Sequence, residues 1–302
     1  MTICAVVVTY KPDLEVLGRL LDALVPQVAS VVLVDNGSSV DLPAWNKARQ
    51  SKVDELLLLG ENKGIAAAHN AGIQWTRNHR AEFVLLMDQD SIPMPDMVAQ
   101  LLSAYRDLVA KGVPVAALGP QYRDNDNGTL SRFVKIGVLG FTLLDCNSAS
   151  SVVEADFLVS SGSLLPLAAI QAVGLMDEGL FIDHVDTEWC LRAKCKGLRI
   201  FGVCDAVMTH TLGEKRRELW FLRQRMVHFH HPFRYYYMFR NSMLLYRRNY
   251  IPWNWKLSDI AYRIKIVVLF SLIAPNRFAC LKMMALGLIA GLKGVGGKLD
   301  EY

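Results

Sequence analysis

Across residues 4–110, short runs rich in β-branched residues alternate with stretches whose apolar residues recur at helical spacing. No other feature limits the possible folds as strongly. Cys4–Thr9 (CAVVVT), Val31–Val34 (VVLV), Leu56–Leu59 and Phe83–Met87 (FVLLM) read as buried strands. Leu14, Leu17, Leu20, Leu21 and Leu24 mark a helix over Leu14–Leu24, and helices are expected over Ile65–Asn78 and Met97–Ala110. This order predicts a doubly wound α/β domain with a mostly parallel, Rossmann-like sheet. Ligands in such sheets lie outside the carboxyl ends of the strands. Polar residues directly after strands are therefore the first candidates for function: Thr9-Tyr10, Asp35-Asn36-Gly37-Ser38 and Asp88-Gln89-Asp90-Ser91.

Residues 115–215 read as strand-rich and irregular, with a helix from Glu188 to Lys196 and a strand at Leu198–Val203. Beyond them the composition turns helical, cationic and aromatic, including stretches Ile260–Ala274 and Phe278–Leu292. Charge divides the chain at the same place. Residues 1–214 carry 17 Lys and Arg against 25 Asp and Glu, whereas 215–302 carry 16 against 4. Two regions are therefore expected, an acidic 1–215 and a basic 216–302. The basic part needs an anionic partner. Nucleic acid is excluded as that partner, because no recognition motif is present and the acidic part would repel a long polyanion. Lys, Arg, Trp and Tyr beside short apolar helices suit an interfacial anchor at an anionic membrane; plain helices with cationic faces in water are the alternative. No apolar run reaches the roughly 18 residues that cross a bilayer, and no secretory signal is expected at the N-terminus. The six scattered cysteines form no CxxC pair. They are expected as free thiols of a reducing cytosol, without a zinc site.

Asp88 and Asp90 follow five apolar residues. In extended backbone, carboxylates at i and i+2 face one way and suit a hard cation, Mg²⁺ or Mn²⁺, that bridges to a diphosphate. A solvated acidic loop is the plainer reading. Asp35 can accept the imide N–H of a uracil or thymine base, or merely form a turn. Thr9 and Tyr10 would flank that base, and Gly64, ahead of a helix containing Asn70, would let backbone approach a nucleotide. Asp183, Asp186 and Glu188 crowd within six residues, where neighbouring charge and apolar flanks favour a raised pKa and a general base. They also suit an acidic helix start. His210 is either a metal or phosphate ligand or a structural histidine.

Together these segments resemble the inverting glycosyltransferases of family 2, which have the GT-A fold. The resemblance rests on VVTYK (Val7–Lys11), VDNGS (Val34–Ser38), ENKGIAAAHNAGI (Glu61–Ile73), LLMDQDS (Leu85–Ser91), SSGSLL (Ser160–Leu165), Gly174–Gly197 and the His210 loop, in order. FIDHVDTEW (Phe181–Trp189) and RYYYMFRN (Arg234–Asn241) are similar to bacterial rhamnosyltransferases, which use dTDP-L-rhamnose. The resemblance implies a metal-dependent transfer of L-rhamnose to a lipopolysaccharide-core, lipid-linked or glycolipid acceptor, at the cytoplasmic face of the inner membrane. It implies a nucleotide site of Thr9, Tyr10, Asp35, Asn36, Gly64, Asn70 and Asp88, and metal ligands Asp90, Asp88 and His210. Asp186 would be the base, with Asp183 and Glu188 as competitors because Val185 stands where the family has Glu. Ser161, Gly162, His184 and Trp189 would meet donor or acceptor. Another nucleotide sugar, a UDP-hexose or N-acetylhexosamine donor, fits the same fold. A sugar-nucleotide pyrophosphorylase would want a Gly-rich, Arg-containing loop where Thr9-Tyr10-Lys11-Pro12 stands. A non-enzymatic membrane module leaves the carboxylates unexplained.

Overall fold

The computed structural model describes residues 1–50, 52–124, 128–138, 140–146, 151–210, 216–219, 225–228, 231–273 and 276–299; His210, 216–219, 225–228 and Ile273 are described by backbone alone. The strands are β1 (Ile3–Thr9), β2 (Ser30–Asp35), β3 (Glu55–Leu58), β4 (Phe83–Asp88), β5 (Ser91–Pro93), β6 (Val115–Asp124), β7 (Phe133–Ile136), β8 (Phe141–Leu144), β9 (Val152–Ala155), β10 (Leu164–Pro166), β11 (Arg199–His210), β12 (Arg216–Leu219) and β13 (Arg225–His228). The α-helices are α1 (Leu14–Leu24), α2 (Leu42–Arg49), α3 (Ile65–Asn78), α4 (Met97–Ala110), α5 (Leu167–Val173), α6 (Val185–Cys195), α7 (Pro232–Tyr246), α8 (Trp253–Ile273) and α9 (Arg277–Lys293).

One nine-stranded sheet carries the order β3-β2-β1-β4-β10-β6-β11-β5, with β9 also on β11. Strands β3, β2, β1 and β4 are mutually parallel. Strand β10 runs antiparallel between β4 and β6, and β6 and β11 are parallel again. Successive side chains of a strand face opposite sides of the sheet. Cys4, Val6 and Val8 accordingly join Ala66 and Ile73 of α3 in one apolar layer. Ile3, Ala5 and Val7 join Leu17, Leu20 and Leu21 of α1 and Leu101 of α4 in the other. Both faces are covered, which is why these strands read as continuous apolar runs. Helix α1 starts where it does because Asp13 caps it, accepting from the N–H groups of Glu15 and Val16. Truncating a fully buried leucine such as Leu17 would cost about 2–5 kcal/mol.

The C-terminal helices share this core. Leu245, Ile251 and Trp255 belong to the same apolar cluster as Cys4 and Val6. Further out, α7, α8 and α9 pack through Tyr235, Phe239, Phe270 and Met284. Among the described residues no helix is long and apolar enough to cross a membrane. The cationic and aromatic residues at 215, 220–224 and 229–230 lie outside the described residues.

The expectation of six free thiols is corrected. Cys146, just after β8, is disulfide-bonded to Cys204 of β11, their Cα atoms 5.7 Å apart. The hydrogen bond from Cys204 N–H to the Ser151 carbonyl draws this edge of β11 towards the β8–β9 connection, although 58 residues separate the two cysteines. Cys4, Cys190, Cys195 and Cys280 are free.

Candidate active site

The parallel register aligns the ends of three strands at one rim. Thr9 lies opposite Asp35, and Val8 opposite Asp88. Asp35 is buried, and its Oδ1 accepts from the Thr9 and Ser38 hydroxyls while Oδ2 accepts from the Ser38 N–H at 2.9 Å. It therefore closes a turn, and Oδ2 keeps room for a second donor, since a carboxylate oxygen holds two. Asn36 donates its N–H to the Thr9 carbonyl, and its side chain bonds Asn62 and the Lys63 N–H. The Tyr10 side chain is 39% exposed at the same rim.

Asp88 ends β4, but Gln89 and Asp90 form the turn into β5 rather than extended backbone. This corrects the extended geometry expected for the pair. Gln89, between them, turns back to the Tyr10 main chain. The Asp88 N–H donates to Ser161 Oγ at 3.0 Å. Gly162 donates to the Leu86 carbonyl at 2.7 Å and has φ +75°; a Cβ there would collide with Pro120 and Met208. The Ser161-Gly162 turn thus lies against the end of β4. Burial first, then the charges of Asp90 and Asp186, push the Asp88 carboxyl up to about 7. Asp90 and Asp186 therefore lie close enough to Asp88 for their charges to act on it.

Asp186 sits in the first turn of α6, with Oδ1 accepting the Thr187 N–H at 2.7 Å. Burial pushes its carboxyl up to about 6; the Thr187 bond opposes the shift and the charge of Asp183 adds to it. The two competing carboxylates are occupied. Asp183 is ion-paired to Arg234 at 2.7 Å. Glu188 is fully buried among Arg192, Arg248 and the Tyr250 hydroxyl. Among the described residues Asp186 makes no ion pair.

Four expected contacts are corrected. Asn70 is buried, and its amide is spent on the Met176 N–H and carbonyl and on Glu178. The close approach at Gly64 (φ +89°) is to Phe181: a Cβ would meet the Phe181 carbonyl oxygen at 2.6 Å. Trp189 is 1% exposed and donates its ring N–H to the Gly174 carbonyl, so it belongs to the core. His184 faces α7 and α8. Its Nε2 accepts from Arg263 at 2.8 Å, its ring meets Trp255 edge-on, and burial followed by the Arg263 charge pulls its pKa down to about 4.

Tyr122 of β6 was not among the expected residues. Burial, followed by the charges of Asp186 and Asp88, pushes its hydroxyl pKa up, so it lies near both carboxylates. Its place near the carboxyl end of a parallel strand was the available signal. The backbone of His210 pairs with Ser91 and Asp124; its side chain lies outside the described residues. Among the described residues no group of three His, Cys, Asp or Glu side chains forms a metal cage. Asp88 and Asp90 still fit a hard divalent cation, because two crowded carboxylates need positive charge and substrate phosphates complete such sites.

Residues 4–149 match the model of "Glycosyl transferase family 2". The chain is 31% identical over 296 residues to the dTDP-rhamnosyl transferase RfbF of Shigella flexneri, covering 98% of this chain and 97% of that protein. It is 24% identical to the low-salt glycan biosynthesis hexosyltransferase Agl10 of Haloferax volcanii, over 67% of this chain and 64% of that protein. In structure it is similar to residues 1–349 of S. aureus TarS in complex with UDP-GlcNAc, with TM-score 0.61, 16% identity and coverage of 98% and 82% of the two chains. A structure of GalNAc-T7 with UDP, GalNAc and Mn²⁺ gives TM-score 0.57 at 13% identity, covering 70% of this chain and 44% of that one.

Proposed function

Because the chain belongs to glycosyl transferase family 2 and is a glycosyltransferase with a GT-A-like fold, we propose that it transfers L-rhamnose from dTDP-L-rhamnose to an acceptor hydroxyl, with inversion. The near full-length likeness to a protein named dTDP-rhamnosyl transferase supports the donor. The observation that carries the chemistry is Asp186: a carboxylate in the first turn of α6, raised to about 6, unpaired by any cation among the described residues and near enough to Asp88 for their charges to interact. In this reading Asp186 takes the proton of the acceptor hydroxyl. That oxygen bonds to the anomeric carbon, the bond from this carbon to the diphosphate oxygen breaks, and its electron pair leaves with dTDP. One displacement inverts the configuration.

Asp35, with Thr9, Tyr10 and Asn36, holds the base and ribose end of dTDP in this proposal. Asp88 and Asp90 hold a Mg²⁺ or Mn²⁺ ion, joined by His210 on its place in β11. Such an ion supplies positive charge opposite the departing diphosphate. Ser161 and Gly162 border the sugar. Residues 1–215 carry donor and base, and 216–302 serve the acceptor and an anionic membrane surface. Support for the membrane reading comes from α8, where Trp253, Leu257, Ile260, Ile264, Val268 and Leu272 form one exposed apolar stripe. Lys265, Arg277 and Lys293 are exposed on α8 and α9, while Asp259, the one acid of 253–299, is buried and paired with Arg263. Each such cation near an anionic leaflet contributes about 1 kcal/mol. The acceptor is a glycan or glycolipid at the cytoplasmic face.

The test is transfer and donor hydrolysis with a panel of sugar nucleotides. dTDP-L-rhamnose is expected to give the highest kcat/KM. A clear preference for a UDP-hexose or a UDP-N-acetylhexosamine overturns the donor assignment.

A further inference from the structure

The segment Arg234–Asn241 of α7 is unused in that chemistry, yet it carries a dense set of buried polar bonds. Arg240 and Asn241 are both fully buried. The Asn241 amide N–H₂ is shared among three carbonyls, those of Leu180 at 2.9 Å and of Ile182 and Asp183 at 2.8 Å. Its carbonyl oxygen accepts Arg240 Nε at 2.9 Å, which fixes the amide's orientation. The Arg240 guanidinium continues to the carbonyls of Gly179 and Leu180 and to that of Gly297. It makes no ion pair among the described residues and also lies over the Tyr237 ring at 4.8 Å. A buried guanidinium is costly unless its N–H groups are bonded. Here loop carbonyls bond them.

The loop so held needs holding. Phe181, Asp183 and His184 all have positive φ, at 62°, 63° and 62°. Non-glycine residues occupy that region only when their surroundings enforce it. Every residue from Gly179 to His184 is fastened to α7, α8 or the chain after α9. Phe181 stacks on Tyr237 with centroids 5.0 Å apart, Asp183 pairs with Arg234, and His184 accepts from Arg263 and lies beside Ser242. Helix α6 starts directly after His184 and carries Asp186 in its first turn.

We infer that Arg240 and Asn241, with Arg234, are positioning residues that fasten the 179–184 loop and thereby set Asp186, in the first turn of α6, beside Asp88. The inference rests on the reading of Asp186 as the base. It assigns a role to α7 that lies outside donor binding, so turnover should respond to it and nucleotide affinity should not.

Asn241→Asp keeps the shape and the acceptor for Arg240 but removes the donors. Its kcat is expected to fall about 10²-fold, the loss typical of a displaced catalytic group. The donor KM and the dTDP dissociation constant, measured by calorimetry with Mg²⁺, should stay within about threefold. Arg234 is partly exposed, so Arg234→Gln provides a second variant that should fold. It should lower kcat roughly tenfold, and Arg234→Lys should recover most of that by restoring a cation beside Asp183. The inference is overturned if both Asn241→Asp and Arg234→Gln turn over within threefold of the parent, or if dTDP affinity falls in parallel with kcat. Should Asn241→Asp not fold, the Arg234 pair decides alone. Asp186→Asn run alongside separates the two readings. If it keeps turnover, the base assignment fails; if it is inactive while both α7 variants stay active, only the positioning role fails.

Discussion

Gln89 grips the main chain of Tyr10 from both sides: its Oε1 accepts the Tyr10 N–H at 2.7 Å and its Nε2–H donates to the Tyr10 carbonyl at 3.2 Å. The residue between the two carboxylates therefore stitches the end of β4 to the end of β1, joining the proposed metal and nucleotide ends of the site. Gln89→Ala removes both bonds at a surface turn. Donor KM is expected to rise about three- to tenfold, two modest hydrogen bonds' worth, with kcat within threefold. Steady-state kinetics in both substrates check this; an unchanged KM denies the stitch a part in donor binding.

Asp186→Asn should lower kcat by about 10²–10⁴, the usual span for a lost general base, while dTDP still binds. The wild-type pH profile carries the sign. The base works ionised, and its carboxyl is raised to about 6. Turnover should be full above that value and decline as pH falls through it. An unperturbed aspartate would sustain activity to roughly pH 4. The charge of Asp186 acts on Asp88, so the acid limb reports the interacting pair rather than one residue.

Asp88 gives a stability test of opposite direction to activity. Its folded pKa, about 7, lies above the unfolded value of 3.8. A raised carboxyl contributes most at low pH, and that contribution is lost as pH rises through the folded value. Without divalent cation the protein should therefore melt at lower temperature at pH 8 than at pH 6. At pH 8, Asp88→Asn should raise Tm by roughly 2–4 °C while abolishing transfer. Mn²⁺ should raise the parent's Tm and leave the variant's unchanged, and EDTA should stop transfer reversibly. Equal cation shifts in parent and variant would remove Asp88 from the metal site.

Glu188→Gln tests a structural carboxylate two residues beyond Asp186 in the same helical turn. Its charge answers Arg192 and Arg248 in a buried cluster. Breaking a buried pair costs about 3–5 kcal/mol, so thermal unfolding should shift down strongly. The folded fraction should retain near-parent kcat. A variant of parental stability and no activity would return Glu188 to the list of candidate bases.

The α8 stripe predicts salt-sensitive co-sedimentation with anionic vesicles. Leu272 is 72% and Phe278 77% exposed, and replacing both with Ser should cut the bound fraction several-fold without changing kcat on a water-soluble acceptor analogue. Equal binding to neutral and anionic vesicles would remove the electrostatic part of this reading.

Helices α1, α3 and α4 were legible to their end residues because apolar spacing and turn residues agreed there. Helix α2 was not: LPAWNKAR buries only Leu42 and starts on an Asp41 cap that resembles loop composition. The rim aspartates were legible because strand ends in an α/β sheet carry function. Which carboxylate of 183, 186 and 188 stands without a cation was not, since Arg234 of α7 and Arg248 just after that helix lie far along the chain. Asn70 and Trp189 were misread for the same reason. Their polar atoms look available in sequence, and only tertiary partners at Met176 and Gly174 show them spent. Strand β10 illustrates a further limit, because three residues running antiparallel inside a parallel sheet leave no periodicity to read.

The fastening of Gly179–His184 by α7 and α8 has a temporal side. A ribosome delivers the chain from its N-terminus, and structure forms behind it as segments emerge. The acidic rim is synthesised first and its buttress last. On the positioning role inferred for α7, a nascent chain is expected to stay catalytically silent, however well its sheet has formed, until the closing helices leave the exit tunnel and lock the loop in place.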